Sequence, residues 1–160
     1  MALTFSIITC SDSRTLKEDS AGARLKELIV EEGFEVANHL VMKDDKDAIK
    51  DEILKQHQAG SDIILTCGGT GLSLRDVTPD ATLEICDREV SGFGEAMRAY
   101  SMKITGRAML SRATAGQIGT SLVINFPGSK KAAEENWMAI KDQLEHAIQM
   151  VHGGGHTHSK

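Results

Sequence analysis

The segment from residue 63 to residue 80 constrains the fold of this chain most strongly. It begins with the apolar run Ile-Ile-Leu, which predicts a buried strand, and continues into glycines at positions 68, 69 and 71. Thr78-Pro79 then gives a helix-start signal, with Thr as the cap and Pro at the first helical position. The segment therefore predicts a strand, a sharp glycine turn and a helix. Because glycine lacks a Cβ, such a turn lets an anion approach backbone N–H groups closely.

The glycine cluster matches neither of the standard nucleotide fingerprints, Gly-x-Gly-x-x-Gly and Gly-x-x-x-x-Gly-Lys-Ser. A strand-to-helix turn that binds no ligand is therefore an alternative interpretation. Arg75 and Asp76 follow the glycines and have no evident folding role, which favours a binding site. Asp76 lies where a carboxylate is able to hold Mg²⁺ against a phosphate. The segment thus indicates a nucleotide or phosphate-ester site at the carboxyl end of a strand.

Strand and helix patterns alternate along the rest of the chain. Apolar, β-branched runs predict strands over residues 3–9, 35–41, 62–66 and 122–126. Helical spacing of apolar residues predicts helices that end near residues 32 and 58 and helices over 80–88, 92–103 and 131–151, whereas 108–116 is ambiguous. Asp19 or Ser20 is expected to cap the first helix, and Asp45 or Asp47 the second. This order predicts an α/β fold with three layers, α-β-α, around a mostly parallel central sheet.

Polar segments follow four of the predicted strands, at residues 11–14, 44–45, 68–76 and 127–130. In an open α/β sheet the ligand crevice lies outside the carboxyl ends of the strands. If the strands are parallel, the four segments converge at that edge. Their convergence is stronger evidence for a site than any one segment alone.

Composition narrows the classes of function. A chain of 160 residues is most simply one domain, expected over 1–151, with a flexible Gly/His-rich tail over 152–160 for which disorder is favoured over metal binding. The formal net charge of −5 argues against a nucleic-acid partner. No stretch has the length of a membrane span or the pattern of a signal peptide, so we expect a cytoplasmic location. Three cysteines without a Cys-x-x-Cys pair argue against a disulfide framework and a structural zinc site.

Several motifs together resemble one known family. They are Gly68-Gly69-Thr70-Gly71, Arg75-Asp76-Val77-Thr78-Pro79-Asp80-Ala81, Gly92-Phe93-Gly94-Glu95, Leu110-Ser111-Arg112 and Pro127-Gly128-Ser129. In combination they look like the MogA/MoaB family of molybdenum cofactor biosynthesis, to which the gephyrin G domain and the plant Cnx G domain belong. The resemblance implies a compact α/β domain that forms a homotrimer and binds molybdopterin. Active members adenylylate molybdopterin with Mg-ATP and release pyrophosphate, and a molybdenum insertase is a possible partner.

The resemblance also implies roles for individual residues. Gly68, Gly69, Thr70 and Gly71 would cradle phosphates, and Asp76 would position Mg²⁺ or the nucleotide. The acidic turn would supply a second carboxylate for the metal, and we expect Asp45 rather than Asp44 to be that residue. The remaining candidates would line or approach the pterin or nucleotide pocket: Ser11, Asp12, Ser13, Glu95, Ser111, Pro127, Gly128 and Ser129.

Some alternatives stay open. The acidic turn also fits a helix cap, and Glu95 also fits a solvated helical charge. Asp19-Ser20-Ala21-Gly22 departs from the Asp-x-Ser-Gly run that the family often carries, because the hydroxyl comes one position earlier. A pterin-binding or scaffold homologue without catalysis is therefore the second hypothesis. The paired carboxylates favour the enzyme, since a binding module does not need them.

Overall fold

A six-stranded sheet forms the middle layer of the fold, which the computed structural model describes over residues 2–154. Its strand order is β2-β1-β3-β6-β5-β4. The strands are β1 (Thr4–Cys10), β2 (Glu35–Met42), β3 (Ile63–Cys67), β4 (Arg88–Glu89), β5 (Ala115–Ile118) and β6 (Ser121–Phe126). Strand β1 pairs in parallel with β2 and β3, and β3 pairs in parallel with β6. The carboxyl ends of these four strands therefore share one edge of the sheet.

Strands β5 and β4 continue the sheet in the antiparallel sense. Ala115 at the start of β5 pairs with Ile124 near the end of β6. Because β5 runs against β6, the residues that precede Ala115 reach the same edge as the carboxyl ends of the parallel strands. This arrangement adds residues 111–114 to the predicted convergence.

Helices cover both faces of the sheet. They are α1 (Ser20–Glu31), α2 (Lys46–Gln58), α3 (Thr78–Ile85), α4 (Gly92–Met102), α5 (Lys130–Ile140) and α6 (Leu144–Val151), with 3₁₀ turns at Leu16–Glu18, Gly106–Leu110 and Lys141–Gln143. One buried cluster joins the sheet to α1, α4, α5 and α6, and a second joins it to α2 and α3. The predicted three-layer α-β-α fold is confirmed.

Strand β1 shows why the sequence folds in this way. Phe5 and Ile7 belong to the cluster on one face, and Ile8 and Cys10 belong to the cluster on the other. Side chains alternate between the two faces of a strand, so a strand covered on both faces must be apolar at almost every position. Most inward positions of β1 are apolar, and its two buried polar side chains are hydrogen-bonded, Ser6 to Gln56 and Thr9 to Asp19.

The structure settles the helix caps and corrects several predicted bounds. Asp19 caps α1 and Asp45 caps α2 through their side chains. The helix predicted over 80–88 covers Thr78–Ile85 instead, and Arg88 belongs to β4. Val77 is the N-cap of α3, so Thr78 does not have the predicted capping role. The predicted helix over 131–151 is interrupted by the 3₁₀ turn at Lys141–Gln143, which no Pro or Gly in the sequence marks.

Helix α6 ends in a glycine cap. Gly153 has a φ of +82°, and its N–H donates to the carbonyl of Met150 while that of Gly154 donates to Gln149. These two bonds form a Schellman motif, which satisfies the last carbonyls of a helix. The first three residues of the predicted tail, 152–154, thus belong to the helix end, and residues 155–160 lie outside the described residues. Among residues 2–154 no helix is both long and apolar enough to cross a membrane.

Candidate functional site

Hydrogen bonds join the loops at the carboxyl edge of the sheet. The backbone N–H of Ser11, after β1, donates to the carbonyl of Met42 at 2.8 Å. The N–H of Gly68, after β3, donates to the carbonyl of Phe126 at the end of β6. Arg14 Nη1 donates to the carbonyl of Gly128 at 2.8 Å. Asp12 accepts hydrogen bonds from the N–H of Asp44 and from Arg75, so the four segments that the sequence predicted to converge are in direct contact.

The glycine loop follows β3 and needs glycine for reasons internal to the protein. Gly68 and Gly69 have φ values of +97° and +68°, which side chains rarely adopt. A Cβ on Gly68 would lie 2.6 Å from the carbonyl oxygen of Cys10, and one on Gly69 would lie 2.2 Å from Thr78 Oγ1. The loop is thus folded tightly against β1 and the start of α3. A Cβ on Gly71 would lie 2.9 Å from Asp76 Oδ2.

Asp44 and Asp45 differ in where their carboxylates lie. Asp45 is exposed, and its Oδ1 accepts a hydrogen bond from the N–H of Ala48 at 3.0 Å, which caps α2. Asp44 is half-buried, and its Oδ1 is buried without a hydrogen-bond partner. That oxygen lies 3.2 Å from the place a Gly69 Cβ would take. The geometry therefore favours Asp44 over our expected Asp45 as the carboxylate that faces the glycine loop.

The environment of Asp44 opposes its ionisation. Burial raises the pKa of Asp44, and the nearby carboxylates of Asp12 and Asp76 raise it further. Asp76 is half-buried, and its Oδ2 accepts a hydrogen bond from the N–H of Ser73 at 3.1 Å. Three carboxylates from three different loops thus lie close enough to influence one another. A cation bound among them would relieve this repulsion.

Asp12 is tied to both of its neighbouring loops. Its Oδ1 accepts a hydrogen bond from the N–H of Asp44 at 3.1 Å. Arg75 donates to it through two nitrogens, Nε to Oδ2 at 3.0 Å and Nη2 to Oδ1 at 3.1 Å. The hydrogen bond from Arg75, followed by that from the Asp44 N–H, lowers the pKa of Asp12. Asp12 therefore remains ionised, and from the loop after β1 it contacts the loops after β2 and β3.

Thr78 adds a buried oxygen beneath the glycine loop. It is fully buried, and its Oγ1 has no well-oriented hydrogen-bond partner, although the Cys10 thiol is near enough for this hydroxyl to lower the thiol's pKa. Burial outweighs that effect and raises the pKa of Cys10 to about 12; burial likewise raises that of Cys67 to about 12. Neither thiol is ionised at neutral pH, so neither is a suitable nucleophile.

Arg112 supports the loop from the side of α3, and it is not among the site residues predicted from the sequence. Its Nε donates to the carbonyl of Gly71 at 2.9 Å, and its Nη2 donates to the carbonyl of Asp76 at 2.6 Å. The same guanidinium pairs with Asp80 at 3.1 Å, and the backbone N–H of Arg112 donates to the carbonyl of Thr70. The signal available in the sequence was its position in the Leu110-Ser111-Arg112 motif.

A cavity of about 190 Å³ lies between α4, the 3₁₀ turn at Gly106–Leu110 and α5. Its lining includes Ser111 and Pro127, two of the predicted pocket residues, together with Arg98 and Arg107. Glu95 is exposed near the start of α4 and is not part of this lining. The cavity thus joins the Ser111 loop to the loop after β6.

The predicted serines mainly shape the loops. Ser11 Oγ accepts hydrogen bonds from the N–H groups of Ser13 and Arg14, and Ser129 Oγ accepts one from Ala132 at the start of α5. Ser13 is exposed beside this turn. Because these hydroxyls bond to the backbone of their own loops, their evident role is to fix loop conformation.

The donor set fits a hard cation held only in part by protein. Within residues 2–154, no group of three or more His, Cys, Asp or Glu side chains is arranged to hold a metal ion. Mg²⁺ commonly uses one or two carboxylates and takes its other ligands from phosphate and water. The orphaned oxygen of Asp44 and the nearby Asp76 match that smaller set.

The sequence of this chain is similar to proteins of the family that its motifs resemble. A family model described as a probable molybdopterin binding domain matches residues 6–146. Molybdenum cofactor biosynthesis protein B of Bacillus cereus is 43% identical over 129 residues, which cover 79% of this chain and 76% of that protein. The protein of the same name from Staphylococcus carnosus is 38% identical over 147 residues, covering 89% and 86%.

Solved structures of MoaB proteins are similar to this chain in fold and in sequence. The molybdopterin biosynthesis enzyme MoaB from Thermus thermophilus matches with a TM-score of 0.86 at 39% identity, covering 94% of this chain and 97% of that one. The tungsten cofactor synthesizing protein MoaB from Pyrococcus furiosus matches with a TM-score of 0.83 at 31% identity, covering 94% and 97%. The resemblance found in the motifs is confirmed, and the chain belongs to the MoaB/MogA family of molybdenum cofactor biosynthesis proteins.

Proposed function

We propose that this protein transfers the adenylyl group of ATP to the terminal phosphate of molybdopterin. The observation that carries the proposal is the buried, unpartnered Oδ1 of Asp44, which lies beside the glycine loop and near the carboxylates of Asp12 and Asp76. A buried carboxylate oxygen without a partner is unfavourable unless a ligand completes it. A cation that accompanies a nucleotide phosphate is such a ligand.

The proposed reaction is a displacement at the α-phosphorus of ATP. An oxygen of the molybdopterin phosphate attacks the α-phosphorus of ATP, the bond from that phosphorus to the β-phosphate bridging oxygen breaks, and pyrophosphate leaves. Phosphoryl transfer of this kind depends on positioning and charge neutralisation more than on covalent catalysis. The high pKa values of Cys10 and Cys67 agree with the absence of a covalent step through either thiol.

Different residues of the chain would orient the phosphates, neutralise their charge and support the glycine loop. The N–H of Gly68 is bonded to Phe126, so other N–H groups of the glycine loop would orient the phosphates. Arg75 and Arg14, both exposed at this edge, would supply positive charge. Bound Mg²⁺ would neutralise further phosphate charge, and Asp44 with Asp76 would hold it. Arg112 would keep the loop in place through the carbonyls of Gly71 and Asp76.

The pterin is best accommodated in the cavity between α4 and α5. Its wall continues from the Ser111 loop to Pro127, which follows β6 at the same edge as the glycine loop. A pterin has a flat ring with several donors and acceptors, and this lining offers polar groups such as Arg98 and Asn136 among apolar ones. This placement would direct the phosphate of molybdopterin toward the nucleotide.

We further propose a homotrimer that passes its product to a molybdenum insertase. Large apolar side chains are exposed near the glycine loop and after α4: Leu72 by 65%, Leu74 by 98%, Ile104 by 50% and Met109 by 64%. Exposed apolar groups of this size are common at protein interfaces. Light scattering at micromolar protein concentration tests the trimer, and a monomer would contradict it.

The activity is tested by mixing the purified protein with molybdopterin, ATP and Mg²⁺ and measuring pyrophosphate release. Asp76→Asn keeps the size of the side chain but removes its charge, so turnover should fall about 100-fold or more. Binding of molybdopterin without pyrophosphate release from the unaltered protein would instead establish the non-catalytic binding homologue.

A further inference from the structure

Arg75 and Asp12 form an ion pair at the mouth of the candidate site. Two nitrogens of the guanidinium meet the two carboxylate oxygens at 3.0 and 3.1 Å. The side chains are 67% and 40% exposed, respectively, so solvent and solutes reach both of them. We call these two residues the clasp, because they join the loop after β1 to the loop after β3.

In the clasp, Asp12 pairs with the same guanidinium that a bound phosphate would need. The hydrogen bond to Asp12 raises the pKa of Arg75 most, and the negative charges of Asp44 and Asp45 raise it further. A guanidinium offers its paired N–H groups to a carboxylate and to a phosphate in nearly the same geometry. Asp12 therefore occupies the fork of Arg75 in the way that a phosphate group would.

The pair is well suited to exchange. Ion pairs between exposed side chains contribute little to stability, so opening this one disturbs the fold little. The Asp44 N–H also bonds to Asp12, which keeps Asp12 in position when Arg75 leaves it. One partner of the clasp is thus anchored to the scaffold, while the other is a long side chain on an exposed loop.

We propose that the clasp is a competitive gate, in which Arg75 leaves Asp12 and pairs with a phosphate of the incoming polyphosphate ligand. This inference rests on the proposed function, since it assigns the ligand of that same site. Asp12 is then a positioning residue that masks Arg75, and its carboxylate lowers the affinity of the empty site for anions. A ligand with several negative charges competes with Asp12 better than a singly charged anion does.

The test measures, by calorimetry, binding of inorganic tripolyphosphate without Mg²⁺ and binding of ATP both without and with Mg²⁺. Asp12→Asn removes the charge but keeps an oxygen that is able to accept from the Asp44 N–H. Arg75→Met removes the cation, and Arg75→Lys keeps the charge without the fork. The fourth protein combines Asp12→Asn with Arg75→Met, and thermal unfolding checks that every variant is folded.

If Asp12 masks Arg75, the effect of Asp12→Asn on anion affinity should depend on whether Arg75 is present. Asp12→Asn should tighten tripolyphosphate binding about tenfold, and Arg75→Met should weaken it about tenfold. In the Arg75→Met background, Asp12→Asn should change the affinity by less than about threefold, because no masked guanidinium remains. Arg75→Lys should retain only part of the affinity.

Other outcomes overturn the proposal. An equal gain from Asp12→Asn with and without Arg75 would show a general effect of charge and no exchange. Weaker binding by Asp12→Asn would show that Asp12 supports the bound anion. If every variant and the unaltered protein fail to bind ATP even with Mg²⁺, the proposed function fails and the clasp fails with it. If ATP binds but the two substitutions act independently, only the clasp is wrong.

Discussion

His39 Nε2 lies 2.7 Å from Asp19 Oδ2, and this contact joins the edge strand β2 to the first residue before α1. The Asp19 side chain is fully buried, and only 12% of the His39 side chain is exposed. Thr9 Oγ1 and the N–H of Gly22 also donate to the same carboxylate. The departure from the Asp-x-Ser-Gly run leaves this cap intact, because the capping oxygen comes from Asp19 and not from a serine.

This contact predicts a loss of stability in acid. Burial opposes the ionisation of Asp19, but hydrogen bonds from His39, Thr9 and Gly22 outweigh it and lower its pKa from the ordinary value of 3.8. A carboxylate whose pKa is lower in the folded state stabilises the fold above its unfolded pKa. That contribution is lost as the pH falls below 3.8 and through the folded value.

Asp19→Asn tests the assignment. Removing one partner of a buried, hydrogen-bonded pair should lower the free energy of unfolding at neutral pH by about 3 kcal/mol. Urea unfolding at a series of pH values should also show a flatter acid limb for the variant, because it lacks the titrating group. Parallel acid limbs in the two proteins would assign the pH dependence to other carboxylates.

Asp44 and Asp45 predict opposite effects from adjacent substitutions. Asp44→Asn should lower turnover about 100-fold or more, because it removes the charge that faces the glycine loop. Its stability should stay equal or rise, since burial and the nearby Asp12 and Asp76 disfavour the ionised form. Asp45→Ala should lower stability by about 1 kcal/mol through the lost cap and leave turnover within about threefold. Pyrophosphate release and thermal unfolding of both variants measure this crossing pattern, and the reverse pattern would restore Asp45 as the functional carboxylate.

Turnover and stability should depend on the shape of the Arg112 guanidinium and not only on its charge. Lysine keeps the charge but cannot reach the carbonyls of Gly71 and Asp76 together with Asp80. Arg112→Lys should therefore lower turnover about tenfold and stability by about 1 kcal/mol. Arg24→Lys is the matched control, because Arg24 pairs with Glu27 and Glu134 on the helical surface. A comparable loss of turnover in that control would assign the effect to stability alone.

The sequence predicted the layers well because local signals agreed with the fold. The apolar run of β3, the caps at Asp19 and Asp45 and the Pro79 helix start each point to the element that forms. The convergence of loops also followed from the sequence, since parallel strands share their carboxyl edge. These features depend on residues that are close together in the chain.

Features that depend on distant contacts were harder to predict. Arg112 lies 41 residues after Gly71, and only the fold brings its guanidinium to that carbonyl. Strand β4 has two residues, too few for an alternating pattern, and exists because β5 pairs with it. The choice between Asp44 and Asp45 turned on one position, because both carboxylates occur in the turn and only the folded loop shows that Asp44, and not the capping Asp45, faces the glycine loop.

Gly69 gives the sharpest test of the loop. Alanine at this position would meet a φ of +68° and would place its Cβ 2.2 Å from Thr78 Oγ1. Gly69→Ala should therefore lower the free energy of unfolding by about 1 kcal/mol or more. Because the loop must shift to relieve the clash, binding of ATP should also weaken by more than about tenfold, or roughly 1.4 kcal/mol.

The strain and the binding defect are separable. Adding Thr78→Ala to Gly69→Ala removes the clashing oxygen but leaves the unfavourable φ. If the shifted loop causes the weak binding, the double variant should recover part of the affinity when ATP titrations are made at a temperature where both proteins are folded. Thr78→Ala alone shows what the loss of the hydroxyl does by itself. Unchanged ATP affinity in Gly69→Ala, with only a lower melting temperature, would mean that the glycine loop is a structural turn and that the phosphates bind elsewhere.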